Sequence, residues 1–256
     1  IINKINFYSY KIKILYNIYM DYVLIKKNEL KKQVVFTGCG GMIAYYFGIA
    51  KYLQENYDLD NIIFGGVSGG SIVSTFLGLN EDIEKIYLSA SKYLCSELKK
   101  SNTGALFNTI NIMQSYLINY FNENCDSDIY TKLNNNLFIS VSFVYPKQDT
   151  IIYDWNSNSD LINCITTSCS LPLLDFCLLT SYRNSYCLDG ALYNNNPILY
   201  SELPILVISP YKWRYTLPNW YLIGSEIKQY DRLFKLGYED AFNNHNELDN
   251  YFTKKK

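Results

Sequence analysis

Histidine is almost absent from this chain of 256 residues: His245 is the only one, set in the polar stretch Asn243-Asn-His-Asn-Glu247. Any serine nucleophile therefore has a single imidazole to draw on. No calcium-loop or metal-ligand spacing occurs either, so no metal or other cofactor is expected. A charge excess of one sign is missing too. Lys and Arg total 23 against 24 for Asp and Glu, a formal net charge of −1. That leaves no bulk electrostatic case for binding nucleic acid. Closely paired cysteines are lacking. The seven (Cys39, Cys95, Cys125, Cys164, Cys169, Cys177 and Cys187) are odd in number and form no C-x-x-C pair. This argues against a disulfide framework or structural zinc and for reduced, buried thiols in a cytoplasmic protein. Cys164 and Cys169, the closest two, share a helical segment at a spacing poor for a metal pair. The opening stretch Ile1–Tyr19 is broken by Asn3, Lys4, Lys11 and Lys13, too polar for a signal peptide core or a membrane span.

What the chain does contain is two successive strand–glycine turn–helix units. Gln33-Val-Val-Phe-Thr37 is an apolar strand ending in Gly38-Cys-Gly-Gly41, and a helical face follows through Ile43, Tyr46, Phe47, Ala50 and Leu53. Asn61 to Val67 is a second strand, which runs into Gly66-Val-Ser-Gly-Gly70 and then a helix-like stretch, Ser71–Leu77. This repetition predicts an α/β fold with a mainly parallel sheet. Residues 81–133 predict two or three helices covering it. Leu137–Val144 and Thr150–Asp154 predict a β-hairpin, a helix is expected near Asp160–Cys169, and Pro204–Ser209 is a further strand. A last helix is expected near Glu226–Phe242. There is no internal repeat and no linker long enough to split domains.

Chemistry concentrates at three places. Gly66 to Gly70 has the strand-turn-helix context of a nucleophile elbow. Such a turn strains its central residue, Ser68, and presents its Oγ at the strand end beside a helix N-terminus. The turn Gly38-Cys39-Gly40-Gly41 suits close backbone approach, whether to hold an oxyanion, to cradle a phosphate or simply to turn the chain. The dinucleotide version lacks both a third glycine, at Ile43, and the strand-end acid. The third place is Cys187-Leu-Asp-Gly-Ala-Leu-Tyr-Asn-Asn-Asn-Pro197. Asp189-Gly190 alone reads as an ordinary turn. A serine hydrolase on this chain would nevertheless need either His245 or a carboxylate as its base.

Taken together and in order, Phe36-Thr-Gly-Cys-Gly-Gly-Met-Ile-Ala-Tyr-Tyr-Phe-Gly-Ile-Ala50, Gly66-Val-Ser-Gly-Gly70 and Asp189-Gly190-Ala191 resemble the patatin-like phospholipases. Ile165–Pro172 resembles that family's Ala-Ser-x-x-x-Pro segment, and Leu236–Ala241 a common C-terminal piece. The style of the first motif is that of the adiponutrin-like branch. The resemblance implies a three-layer α/β/α fold and a Ser–Asp dyad, with Ser68 as acyl nucleophile and Asp189 as general base. It implies an oxyanion hole formed by the backbone of Gly38, Cys39, Gly40 and Gly41, and a lipid acyl hydrolase acting on lipid or phospholipid esters. One departure is Ile43, which stands where the family motif has its last glycine.

These readings give a catalytic domain over residues 33–242, an N-terminal extension over 1–32 and a polar tail over 243–256. Residues 1–19 precede a plausible start at Met20 and are expected to be dispensable. Trp155, Phe176, Leu178, Leu179, Trp213 and Trp220 fall in loops near strand ends. They would form either an apolar rim for contact with a membrane surface or ordinary core. Two other functions compete: an α/β-hydrolase with a Ser68–Asp189–His245 triad, and a non-catalytic lipid-binding or scaffolding relative, motivated by Ile43.

Overall fold

The computed structural model describes residues 31–100, 109–145, 147–172, 179–214 and 226–255. Residues 1–30 of the extension expected over 1–32, and the side chains of Phe176, Leu178 and Trp220, lie outside them. Four strands rich in apolar residues form the parallel centre of a mixed sheet. They are β1 (Lys32–Phe36), β3 (Ile62–Gly66), β4 (Leu137–Phe143) and β8 (Ile205–Ile208), in the order β4-β3-β1-β8. Val34, Val35 and Phe36 are fully buried, as a parallel strand covered on both faces requires. Antiparallel strands β5 (Gln148–Ile152), β6 (Thr180–Tyr182) and β7 (Ser185–Asp189) complete it.

The register of β4 matters most for function. Ile139 pairs with both Gly66 of β3 and Ile152 of β5, whereas Val141 pairs with Thr150 of β5 and Asp189 of β7. β5 therefore fills one edge of β4, and β3 and β7 share the other. The two run toward each other and stop two β4 residues apart, roughly 7 Å at the usual rise. Ser68 leaves the end of one strand and Asp189 ends the other.

Helices α1 (Ile43–Asn56), α2 (Gly69–Gly78), α3 (Ile83–Lys100), α4 (Thr109–Asn124), α5 (Tyr130–Leu133), α6 (Asn158–Ser168), α7 (Ile227–Asn243) and α8 (His245–Tyr251) follow the sequence expectations closely. The differences are informative. α1 is buried on nearly every side from Ala44 to Ala50 instead of along one face, because α7 packs on it from outside. Their contact is so close that a Cβ on Gly48 would lie 1.9 Å from the Phe234 carbonyl oxygen. The tyrosine hydroxyls of this buried helix find partners: Tyr46 donates to the Ile208 carbonyl (3.1 Å) and Tyr45 to Asp240 (2.9 Å). Arg214 completes the second group through Nη2 at 2.7 Å from Asp240.

The segment after residue 243 is polar in composition yet folded. α8 buries Leu248, Phe252 is buried after it, and β9 (Thr253–Lys254) pairs antiparallel with β2 (Tyr57–Asp58). Two apolar side chains spaced on an otherwise polar stretch suffice to dock it. The face of the sheet carrying Val35, Ile63 and Phe138 is covered, among the described residues, by Leu199, Tyr200 and Leu203. Among those residues no helix is long and apolar enough to cross a membrane.

Candidate active site

Ser68 sits at φ 52°, ψ −133°, a region that costs a non-glycine residue on the order of 1–3 kcal/mol. Its neighbours overdetermine that conformation. The Ser68 N–H donates to Ser168 Oγ (2.9 Å), and the Ser168 hydroxyl donates to the Ser140 carbonyl (2.8 Å). The Ser68 carbonyl accepts from the Ser71 N–H (2.9 Å) and hydroxyl (2.6 Å). The flanking glycines serve close approach: a Cβ on Gly66 would lie 2.3 Å from Ser71 Cα, and one on Gly70 would lie 2.2 Å from the Phe36 carbonyl oxygen. Helix α2 can therefore start directly against β1 and β3.

The glycine turn after β1 meets this elbow. Gly40 has φ 52°, and Gly40–Met42 form a 3-10 turn leading into α1. A first helical turn leaves its N–H groups without intrahelical partners, which suits the stabilisation of negative charge. A Cβ placed on Gly38 would be 3.6 Å from Ser68 Cβ and 3.1 Å from Ala191 Cβ. The Gly38 N–H is already engaged, donating to Asn195 Oδ1 at 2.7 Å. For this amide to face an oxyanion, Asn195 must give it up. Cys39 is buried, and burial first, then the nearby Asp189 charge, pushes its thiol far above the ordinary range. It is a packing residue of the loop.

Asp189 is fully buried at the end of β7. Oδ1 accepts from the Ala191 N–H at 2.8 Å, and the Asp189 N–H donates to the Ser170 carbonyl at 2.8 Å. Oδ2 has no partner of ordinary hydrogen-bond geometry. Burial, offset in part by the Ala191 N–H and the Ser68 hydroxyl, raises the carboxyl from 3.8 to about 6. The two oxygens thus divide: one is fixed, and the other is left for Ser68. Gly190 lets the turn close on β4, since a Cβ there would lie 2.1 Å from the Ser140 carbonyl oxygen.

Reasoning from sequence gave no role to Ser140, Ser142, Ser168 or Asn195, although Ser168 and Asn195 lie in the segments Ile165–Pro172 and Cys187–Pro197. Ser140 Oγ donates to the Asn194 carbonyl (3.0 Å) and Ser142 Oγ to the Gly190 carbonyl (3.3 Å), so β4 stitches the Asp189 turn in place. Alternating serines in a strand read as a solvent-facing side, but both are fully buried here. Serines two apart in a strand the fold covers on both faces were the available signal.

Two alternatives left open by the sequence are decided. His245 is exposed; its Nδ1 lies 2.9 Å from the Phe242 carbonyl oxygen, and it shares a shallow surface cleft with Tyr52, Asn56 and Tyr57 at the far end of α1. The glycine turn Gly38–Gly41 is at the other end of that 14-residue helix, about 20 Å away. The Ser68–Asp189–His245 triad is therefore not assembled. Trp155 is not at a rim but only 2% exposed, held by reciprocal hydrogen bonds between its backbone and the Asn134 side chain. Leu179 is 37% exposed, and half-buried Trp213 donates to Glu247 at 2.9 Å. No group of three His, Cys, Asp or Glu side chains that could hold a metal occurs among the described residues.

A mixed, centrally parallel α/β sheet carrying a strained serine beside a buried carboxylate defines the class of protein. The chain belongs to the patatin-like phospholipase family, whose profile matches residues 34–201. Mouse (Mus musculus) 1-acylglycerol-3-phosphate O-acyltransferase Pnpla3 is 22% identical over 72% of this chain and 44% of its own length. Human (Homo sapiens) patatin-like phospholipase domain-containing protein 2 is 27% identical over 70% and 35%, and the human domain-containing protein 4 is 26% identical over 70% and 71%. The chain thus spans less than half of the first two. Among solved structures, VipD from Legionella pneumophila is similar over 70% of this chain and 50% of its own, with 12% identity and a TM-score of 0.43.

Proposed function

We propose that the protein is a serine-dependent lipid acyl hydrolase working through a Ser68–Asp189 dyad and an acyl-enzyme. The observation that carries this reading is the buried Asp189 Oδ2, left unpaired beside a serine held in a strained turn. In the first half-reaction Ser68 Oγ attacks the ester carbonyl carbon and its proton passes to Asp189 Oδ2. The N–H groups of the Gly38–Gly41 turn receive the oxyanion. The tetrahedral intermediate collapses, the C–O bond to the alcohol breaks, and Asp189 returns the proton to that alcohol. Water then repeats the sequence on the acyl-enzyme, with Asp189 as base, and frees the carboxylic acid. A carboxyl raised to about 6 is mostly ionised at pH 7, yet more basic than an exposed aspartate.

Family membership supports lipid esters, phospholipid or acylglycerol, as the substrate class, and hence work at a lipid surface; the scattered, odd-numbered cysteines favour the cytoplasm. Residues 33–242 form the catalytic domain in this reading, with the folded 243–255 segment docked behind it. Three relatives carry names that denote acyl transfer: the mouse acyltransferase above, its human counterpart and the mouse omega-hydroxyceramide transacylase. The acyl-enzyme has a second fate on that account, attack by a lipid alcohol in place of water. The test is hydrolysis of a medium-chain acyl ester, and labelling by a fluorophosphonate, with wild type, Ser68→Ala and Asp189→Asn. Loss of several powers of ten in rate in both variants is expected. Folded wild type that neither turns over ester in a bilayer nor labels at Ser68 would establish the non-catalytic lipid-binding alternative. Adding a monoacylglycerol acceptor to the same assay separates transfer from hydrolysis.

A further inference from the structure

Gly38 has no side chain, and the space a side chain would fill is bounded by three groups. A Cβ there would lie 3.0 Å from Asn195 Oδ1, 3.1 Å from Ala191 Cβ and 3.6 Å from Ser68 Cβ. Asn195 Oδ1 thus shares this small space with the Ser68 side chain, and it accepts the Gly38 N–H at 2.7 Å. A partly negative oxygen, bonded to an amide of the glycine turn and set next to Ser68, is a neutral copy of the oxygen that attack on an ester would put there. The loop carrying Asn195 is fixed on both sides. The Asn194 N–H donates to the Gly190 carbonyl (3.1 Å), Ser140 Oγ to the Asn194 carbonyl (3.0 Å) and Asn194 Nδ2 to Asp149 (2.9 Å). The Asn196 N–H donates to Asn194 Oδ1 (3.1 Å), and Pro197 is buried. Asn195 itself is exposed, so releasing its Oδ1 takes only the rotation of one side chain into water.

We propose that Asn195 is a displaceable stopper on the glycine turn: its Oδ1 holds the Gly38 N–H in the resting protein and yields it when the tetrahedral oxyanion forms. The inference rests on the Ser68–Asp189 reading above and adds a residue that decides when one amide of the turn becomes available. The order of bond strengths makes the exchange selective. An amide oxygen and an ester carbonyl are both neutral acceptors, so an ester in its ground state gains little by displacing Asn195. An oxyanion makes a charge-assisted bond about twice as strong. The Gly38 N–H is thereby kept for the transition state and withheld from the bound ester. The opposing reading makes Asn195 a rigid tie between the glycine turn and the Asp189 loop, and it predicts opposite effects for the two substitutions below.

The experiment compares wild type, Asn195→Ala and Asn195→Asp, each as the full chain, on p-nitrophenyl butyrate, with kcat and KM read separately. Alanine leaves the Gly38 N–H to the ester. KM should fall, and kcat/KM should rise by about two- to tenfold, the worth of one hydrogen bond between neutral groups. Aspartate keeps the bond, strengthens it and sets a negative charge where the oxyanion must form, so kcat/KM should fall by about tenfold or more. A tie would instead lose kcat with alanine and retain activity with aspartate. Either half of that reverse pattern, or a kcat/KM that alanine leaves unchanged, overturns the proposal. Calorimetric binding of methyl hexanoate to Ser68→Ala, with and without Asn195→Ala, gives a readout that needs no turnover. Binding about two- to tenfold tighter in the double variant supports the stopper even if wild type hydrolyses nothing, an outcome that would sink only the hydrolase. Binding that is equal in the two, or absent from both, with hydrolysis by wild type retained, removes the stopper and leaves the dyad.

Discussion

Replacing Asp189 by asparagine should destroy activity and stabilise the fold, with the gain depending on pH in a defined direction. The carboxyl is fully buried and raised from 3.8 to about 6, chiefly by desolvation. Between those values the native state holds a proton that the unfolded chain has released. Stability therefore falls as pH rises through this window, and the deficit is complete above about 6. The difference corresponds to about 3 kcal/mol at neutral pH. Asparagine keeps an Oδ1 for the Ala191 N–H and introduces two amide hydrogens. Ser68 Oγ can accept one, and the other, left unpaired, costs about 1–2 kcal/mol. The net gain is about 1–2 kcal/mol at pH 7–8, roughly 3–6 °C for a chain of this size. Thermal unfolding followed by circular dichroism, at intervals from pH 4 to 8, reads it directly. The two melting temperatures should diverge between about pH 4 and pH 6 and stay apart above that, with the variant higher, and that advantage should vanish by pH 4. A variant less stable than wild type by the same amount at pH 4 and pH 8 would refute the reasoning, because it would mean Asp189 is not held against its own ionisation.

The same carboxyl sets the rate profile: kcat/KM should rise tenfold per pH unit below about 6 and level off above it, and a plateau extending unchanged to pH 4 would exclude Asp189 as base. Ser168→Ala removes the acceptor for the buried Ser68 N–H, a loss of about 1–3 kcal/mol. The variant should lose roughly ten- to a hundredfold in kcat with its apparent pKa unmoved, and wild-type rates would show that the Ser71 contacts alone hold the turn. His245→Ala should retain full activity; a large loss would reinstate the triad that the geometry takes apart.

Legibility in the sequence followed the range of the interactions. The first two strand–turn–helix units were readable because each is local: apolar strand, glycines, then a helix whose first turn contacts the strand just left. The Ser68 elbow belongs to that group. Asp189 did not, since Asp-Gly after a strand is ordinary and its role comes only from β7 pairing with Val141, 48 residues away in sequence. Ser140 and Ser142 drew no notice for the same reason: alternation reports two faces of a strand but not what covers them. The segment after residue 243 looked like a tail because its apolar anchors, Leu248 and Phe252, are few, and their destination against α1 and β2 is set by tertiary packing.

The shared edge of β4 makes that strand a ruler for the reaction. Ser68 and Asp189 hang from two strands that never pair with each other, and their spacing is counted in β4 residues between Ile139 and Val141. A two-residue slip of β7 along β4 would carry the carboxylate away by roughly 7 Å, yet keep the side-chain alternation of the sheet. Chemistry on this scaffold is thus a test of register. It also comes late in assembly: a nascent chain released before residue 189 would own the elbow and the glycine turn, and would still lack the buried carboxylate that faces Ser68.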